Sequence, residues 1–154
     1  MQSLAVAGGK VLAAGGVVQA WWAASGAPAW TSRVRGGDAV TVTGGRVLVA
    51  GTEATPTQGA LVALDLATGA RLWWVLVGSE EESQPSAGGG VSYLVDLDSG
   101  AVVMNRLSDG HEVATVAHPG AAYDELATPV VVDGHVFVFT QTGAANSLDS
   151  WSAP

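Results

Sequence analysis

One stretch constrains the fold more than any other: Ala63–Leu64–Asp65–Leu66–Ala67–Thr68–Gly69–Ala70–Arg71–Leu72–Trp73. The alternating apolar run to Leu66, the Gly-closed turn Ala67–Thr68–Gly69 and the β-prone return on Arg71–Leu72–Trp73 predict a hairpin. The run from Ala20 to Trp30 repeats its frame, with Gly26 in place of Gly69 and Trp30 in place of Trp73. A hairpin that recurs along a chain predicts a repeat architecture.

Four units align, at about residues 4–34, 38–78, 83–118 and 124–154, within a single domain. Unit one holds Ala5–Val6–Ala7, the turn Gly8–Gly9, Lys10–Val11–Leu12–Ala13–Ala14 and Val17–Val18–Gln19–Ala20. Unit two holds Ala39–Val40–Thr41–Val42–Thr43, Gly44–Gly45 and Arg46–Val47–Leu48–Val49–Ala50 before the hairpin above. Trp30 and Trp73 stand 43 residues apart, and the polar loop Thr52–Gly59, with Pro56, reads as a surface insertion. In unit three Gly88–Gly89–Gly90 replaces the paired turn, Asp109–Gly110 stands for Thr68–Gly69, and Ala114 stands for Trp73. Unit four opens on Val130–Val131–Val132, the turn Asp133–Gly134, and His135–Val136–Phe137–Val138–Phe139–Thr140, a strong hairpin signal. Ser147–Leu148–Asp149 is its expected counterpart of Ala63–Leu64–Asp65, which leaves this unit one strand short and Trp151 beyond the last repeat. Leu4–Ala7 is the strand available to complete it. About four strands per unit, with no sustained helical period, predict an all-β chain of propeller blades.

Composition agrees. With 154 residues, 48% hydrophobic and 13% charged, the chain has ample apolar material for a core, and 21 glycines suit many short turns. A net charge of -8 with Lys10 as the single lysine argues against nucleic acid and anionic membranes as partners. No cysteine is present, so disulfides and thiolate metal sites are excluded. Lys10 followed by Val11–Ala24 and Ser25–Gly26–Ala27 imitates a signal peptide, but the repeat frame accounts for the same residues. The compartment stays open, and no run is long enough for a membrane span.

A Trp at one point of each outermost strand can bury its ring between neighbouring blades while its indole N–H finds a carbonyl. The Gly four residues earlier lets the turn backbone approach another element. Trp21–Trp22 and Trp73–Trp74 are adjacent on strands, so only one of each pair can share a seam. Ala63, Asp65, Gly69 and Trp73, at this spacing, resemble the tryptophan-docking motif of quinoprotein-type (PQQ-like) propeller repeats. Thr128–Val138 looks like the blade opening of the same family. Unit one keeps Ala20, Gly26 and Trp30 but has Trp22 where the family has Asp. The resemblance implies a β-propeller of about four blades, an incomplete arc or half of a larger ring. Gly110–His111 and Gly134–His135 imitate a WD-type propeller, but no Trp-Asp dipeptide follows.

Quinoprotein dehydrogenases of this family use PQQ with calcium, a catalytic Asp and usually a vicinal disulfide. Without cysteine the disulfide is impossible, and no ligand set carries over, so the expectation is no cofactor, no metal and no catalytic residue. Asp96–Leu97–Asp98–Ser99–Gly100 faintly resembles a calcium loop but reads better as a turn. Glu80–Glu81–Glu82 reads as a solvated loop, and His111, His118 and His135 lack metal-ligand spacing. The expected function is a non-enzymatic binding or scaffold module that meets a protein or small ligand at blade loops or a central channel. Self-association, or blades outside this chain, would complete the ring. Two alternatives stand beside it: part of a quinoprotein dehydrogenase whose site lies in other blades, and an extracytoplasmic ligand-sensing propeller.

Overall fold

The computed structural model describes residues 3–35, 39–55, 58–77, 83–97, 99–117, 128–142 and 145–153. These residues are all strand and turn, in four antiparallel sheets whose strand order follows the chain. Blade 1 is β1 (Ser3–Ala7), β2 (Lys10–Gly15), β3 (Val17–Trp22) and β4 (Pro28–Arg35). Blade 2 is β5 (Ala39–Thr43), β6 (Arg46–Thr55), β7 (Gln58–Asp65) and β8 (Arg71–Val77). Blade 3 is β9 (Ser86–Gly88), β10 (Val91–Val95), β11 (Val102–Arg106) and β12 (Glu112–Val116). Blade 4 is β13 (Val130–Val132), β14 (His135–Thr142) and β15 (Ala145–Ser152). No helix among the described residues is long and apolar enough to cross a membrane.

Each first hairpin closes on a two-residue left-handed turn, which matches the right-handed twist of the strands it joins. Gly44 and Gly45 sit at φ 51° and 74°, and Asp133 and Gly134 at 48° and 75°. In blade 3 the same turn is Gly89–Gly90; Gly88 belongs to β9, where a Cβ would lie 2.6 Å from Val131. The paired turn is therefore kept in unit three, not replaced by a triple glycine.

The first strands β1, β5, β9 and β13 stand side by side along the arc, each against the next. Hydrophobic alternation on a two-faced sheet gives every inner blade two apolar faces, so the core consists of three seams. Leu12, Val18 and Ala20 meet Val40, Val47, Val49 and Leu64 between blades 1 and 2. Leu48, Leu61, Ala63 and Trp73 meet Leu94 and Val103 between blades 2 and 3. Tyr93, Val95, Val102 and Met104 meet Val136 and Val138 between blades 3 and 4. Polar ties cross as well: the Val40 N–H donates to Ser3 Oγ at 2.9 Å, and Gln84 Nε2 to the Val40 carbonyl at 3.2 Å.

Two expectations for the ends of the chain are corrected. Leu4–Ala7 lies in β1 and pairs with β2, so it does not complete blade 4. Nor is Ser147–Leu148–Asp149 the counterpart of Ala63–Leu64–Asp65. Arg46 pairs with Asp65 and Leu48 with Ala63, whereas His135 pairs with Ser152 and Phe137 with Ser150. The Ala153 N–H donates to the Gly134 carbonyl as Leu66 does to Gly45. Ser150–Trp151–Ser152 thus holds the place, because the hairpin between second and third strands varies in length from blade to blade. Trp151 consequently packs against the seam of blades 3 and 4 instead of lying beyond the repeat.

Candidate functional site

The third and fourth strands of blades 1 to 3 are joined by one recurring five-residue turn. The Gly26 N–H donates to the Trp22 carbonyl, Gly69 to Asp65, and Gly110 to Arg106, each at 2.8 Å. A left-handed φ of 69°, 73° and 77° at these glycines closes each turn without a Cβ penalty. Residue one of the turn varies because the backbone closes it, not the side chain. Asp65 Oδ1 adds bonds from the Thr68 N–H at 2.8 Å and Thr68 Oγ1 at 2.7 Å. Arg106 instead reaches Asp109 Oδ2 at 2.9 Å, and the Trp22 ring lies under Lys10 Nζ, 4.4 Å from its centroid. The same turn recurs between β10 and β11, where the Gly100 N–H donates to the Asp96 carbonyl and Ser99 Oγ to Asp96 Oδ2 at 2.6 Å. Asp98 and Glu80–Glu82 lie outside the described residues, as does His118.

The turns of blades 2 and 3 each receive the tryptophan of the preceding blade, not that of their own. Trp30 Nε1 donates to the Leu66 carbonyl at 3.1 Å, and a Cβ on Gly69 would stand 2.5 Å from the Trp30 ring. Trp73 Nε1 donates to the Leu107 carbonyl at 2.9 Å, and a Cβ on Gly110 would stand 2.6 Å from the Trp73 ring. Gly69 and Trp73, four residues apart, therefore serve two different seams. Ala20 and Ala63 are fully buried opposite the strands that carry the docking rings, pairing with Trp30 and Trp73 respectively. Of the adjacent pair, Trp73 is buried and Trp74 exposed. Blade 3 offers Ala114 at the docking position, and nothing stands within 4 Å of the Cβ position at Gly26.

Beside each dock the rim opens into a groove. The first, about 420 Å³, is lined by Thr31, Ser32, Arg33, Thr68 and Arg71. The second, about 530 Å³, is lined by Val75, Arg106, Asp109 and His111. The first groove brings Arg33 and Arg71 of an acidic chain together, whereas in the second Arg106 is paired with Asp109 at 2.9 Å.

Hydrogen bonds from the Thr68 hydroxyl and then its N–H hold the Asp65 carboxyl below the ordinary carboxylate value. The His111 N–H, then the Arg106 guanidinium, do the same for Asp109, while burial pushes the Tyr93 phenol up. A depressed carboxyl adds stability above its unfolded value, and that contribution is lost as pH falls through the folded one. Carbon-detected NMR titration of Asp65 is expected to give a midpoint below the ordinary value that rises in Thr68→Val. A midpoint unmoved by Thr68→Val would mean that the bond from the Thr68 hydroxyl does not form in solution.

With this geometry, the family model described as outer membrane protein assembly factor BamB matches residues 2–152. The chain belongs to that family of PQQ-like repeats. No curated protein sequence matches it. Among solved structures, BamB from Moraxella catarrhalis superposes with a TM-score of 0.73 at 18% identity, over 97% of this chain and 42% of that one. The computationally designed Ika4 protein gives 0.77 at 12% identity, over 98% and 89%. Quinohemoprotein alcohol dehydrogenase ADHIIG from Pseudomonas putida HK5 gives 0.63 at 15%, over 97% and 34%. These likenesses show the β-propeller fold, and the chain spans less than half of the BamB and dehydrogenase chains. The chain has no cysteine, and among the described residues no three His, Asp or Glu side chains are grouped as a metal site would need.

Proposed function

We propose that this chain is a non-enzymatic binding or scaffold module that presents its blade turns to a protein partner. The family match over residues 2–152 carries the reading, because the matched family is one of assembly factors. The paired first-hairpin turns and the five-residue turns lie on one surface of the arc, tied by bonds such as Leu66 N–H to the Gly45 carbonyl. Rigid turns on a sheet scaffold make a contact surface that is ordered before binding. A photo-cross-linking residue in place of Thr43, beside the Gly44–Gly45 turn, is expected to trap a defined protein in cells that express the chain. Adducts of equal yield from a residue on the opposite surface, in place of Val17, would overturn the assignment of the surface.

A second reading draws on the quinohemoprotein neighbour: the chain as part of a quinoprotein dehydrogenase whose site lies in other blades. Titration calorimetry separates the two. The scaffold reading expects no binding of PQQ with calcium tighter than the micromolar range. Sub-micromolar binding by this chain would overturn it.

A further inference from the structure

We propose that the groove between β4 and the β7–β8 turn is a carboxylate-binding site, in which Arg33 and Arg71 take the Glu or Asp side chains of an acidic segment of a protein partner. The site gives the scaffold reading above its partner chemistry and rests on that reading.

The groove, about 420 Å³, lies on the seam of blades 1 and 2, with Thr31–Val34 of β4 on one side and Thr68–Arg71 of blade 2 on the other. Local structure puts an arginine on each wall. Gln19 pairs with Thr31 and Val17 with Arg35, and β4 bulges between these pairs. Within the bulge the Val34 N–H donates to Ser32 Oγ at 3.2 Å, and both residues are buried. Arg33, held between them, is exposed at the groove. Re-aiming a side chain in this way is what a bulge does to a strand. On the other wall Arg71 opens β8, directly after the turn that the Gly69–Asp65 backbone bond closes and the Trp30 ring backs. Both arginines thus stand on backbone that is fixed before any ligand arrives.

The next seam shows that the fold requires neither arginine. Placed by the docking tryptophans and the turn glycines, Leu76 stands where Arg33 does, and Glu112 where Arg71 does. Asp109 takes the place of Thr68 and holds Arg106, and β8 keeps an unbroken register from Trp73 to Val77 where β4 bulges. A groove forms there all the same. The charge complementarity selects the occupant. A guanidinium presents planar N–H forks that match the two oxygens of a carboxylate. With five donors, each arginine can bind an incoming oxygen beside any contact within the chain. Asp65, on the same turn, does not line the groove, and its Oδ1 already accepts from the Thr68 N–H and hydroxyl. The chain carries a net charge of -8, so an acidic segment is repelled by most of its surface and drawn to this groove. That contrast fixes where and in which register the segment lies.

Fluorescence anisotropy of a labelled oligoglutamate peptide on the 154-residue chain tests the site. Binding is expected to weaken as salt rises. It is expected to fall about ten-fold in Arg33→Gln/Arg71→Gln, with a smaller loss in each single variant. An oligoglutamine peptide should not bind. Arg106→Gln changes the net charge by the same step as either single variant and keeps the wild-type affinity, because it belongs to the other groove. The single variants carry the test if the double one loses its far-UV circular dichroism spectrum. No binding by the wild type, an unchanged affinity in the double variant, or an equal loss in Arg106→Gln overturns the site. Displacement of the peptide by equimolar inorganic phosphate or glutarate overturns the peptide assignment in favour of a small anion. Thr43 cross-links that keep their wild-type yield in the double variant overturn the groove and leave the protein partner standing. A chain that traps nothing from Thr43 yet binds oligoglutamate with these dependences keeps the site and fails the scaffold reading alone.

Discussion

Replacing Trp73 by alanine is expected to lower stability by about 3–5 kcal/mol, the range for a large aromatic removed from a packed core. The ring is 9% exposed and packs with Leu48, Leu61, Ala63, Leu94 and Val103. Its indole N–H bonds the Leu107 carbonyl of the next blade at 2.9 Å. Truncation therefore opens a void in the seam and leaves that carbonyl without its donor, and both losses fall on the contact that joins blades 2 and 3. Trp30 is only partly buried and its bond is longer, at 3.1 Å, so Trp30→Ala is expected to cost less. Trp74→Ala, on the exposed face of the same strand, should stay within about 0.5 kcal/mol of wild type. Urea denaturation of the three variants checks the order. Equal midpoints for Trp73→Ala and Trp74→Ala would remove the docking explanation.

Gly69→Ala is the second large effect, and its control lies within the chain. Alanine at φ 73° pays the left-handed strain, about 1–2 kcal/mol. Its Cβ would also stand 2.5 Å from Trp30 Cε3, and forcing a packed ring aside adds about 1–3 kcal/mol. Gly26→Ala carries nearly the same φ, 69°, but meets nothing within 4 Å, so only the strain remains. The difference between the two variants measures the docking contact alone. In the double variant Trp30→Ala/Gly69→Ala the clash has no partner, so the two changes should cost less than their sum. Additive costs, or equal effects of Gly69→Ala and Gly26→Ala, would show that the ring does not rest on this turn.

The sequence alone determined the local pieces. Two-residue turns, period-two alternation and the Ala–Asp–Gly–Trp spacing are written in consecutive residues, because hairpins are closed by neighbours a few positions apart. From these came the all-β class, the blade-like units and the resemblance to PQQ-like repeats. Asp96–Gly100 was legible as a turn for the same reason. Tertiary structure alone decided which partner each tryptophan meets, since the two docking bonds join residues 36 and 34 apart that share no hairpin. The place of Ser150–Trp151–Ser152 was hidden behind a hairpin whose length changes between blades, because strand register is fixed by hydrogen-bond pairing and not by counting.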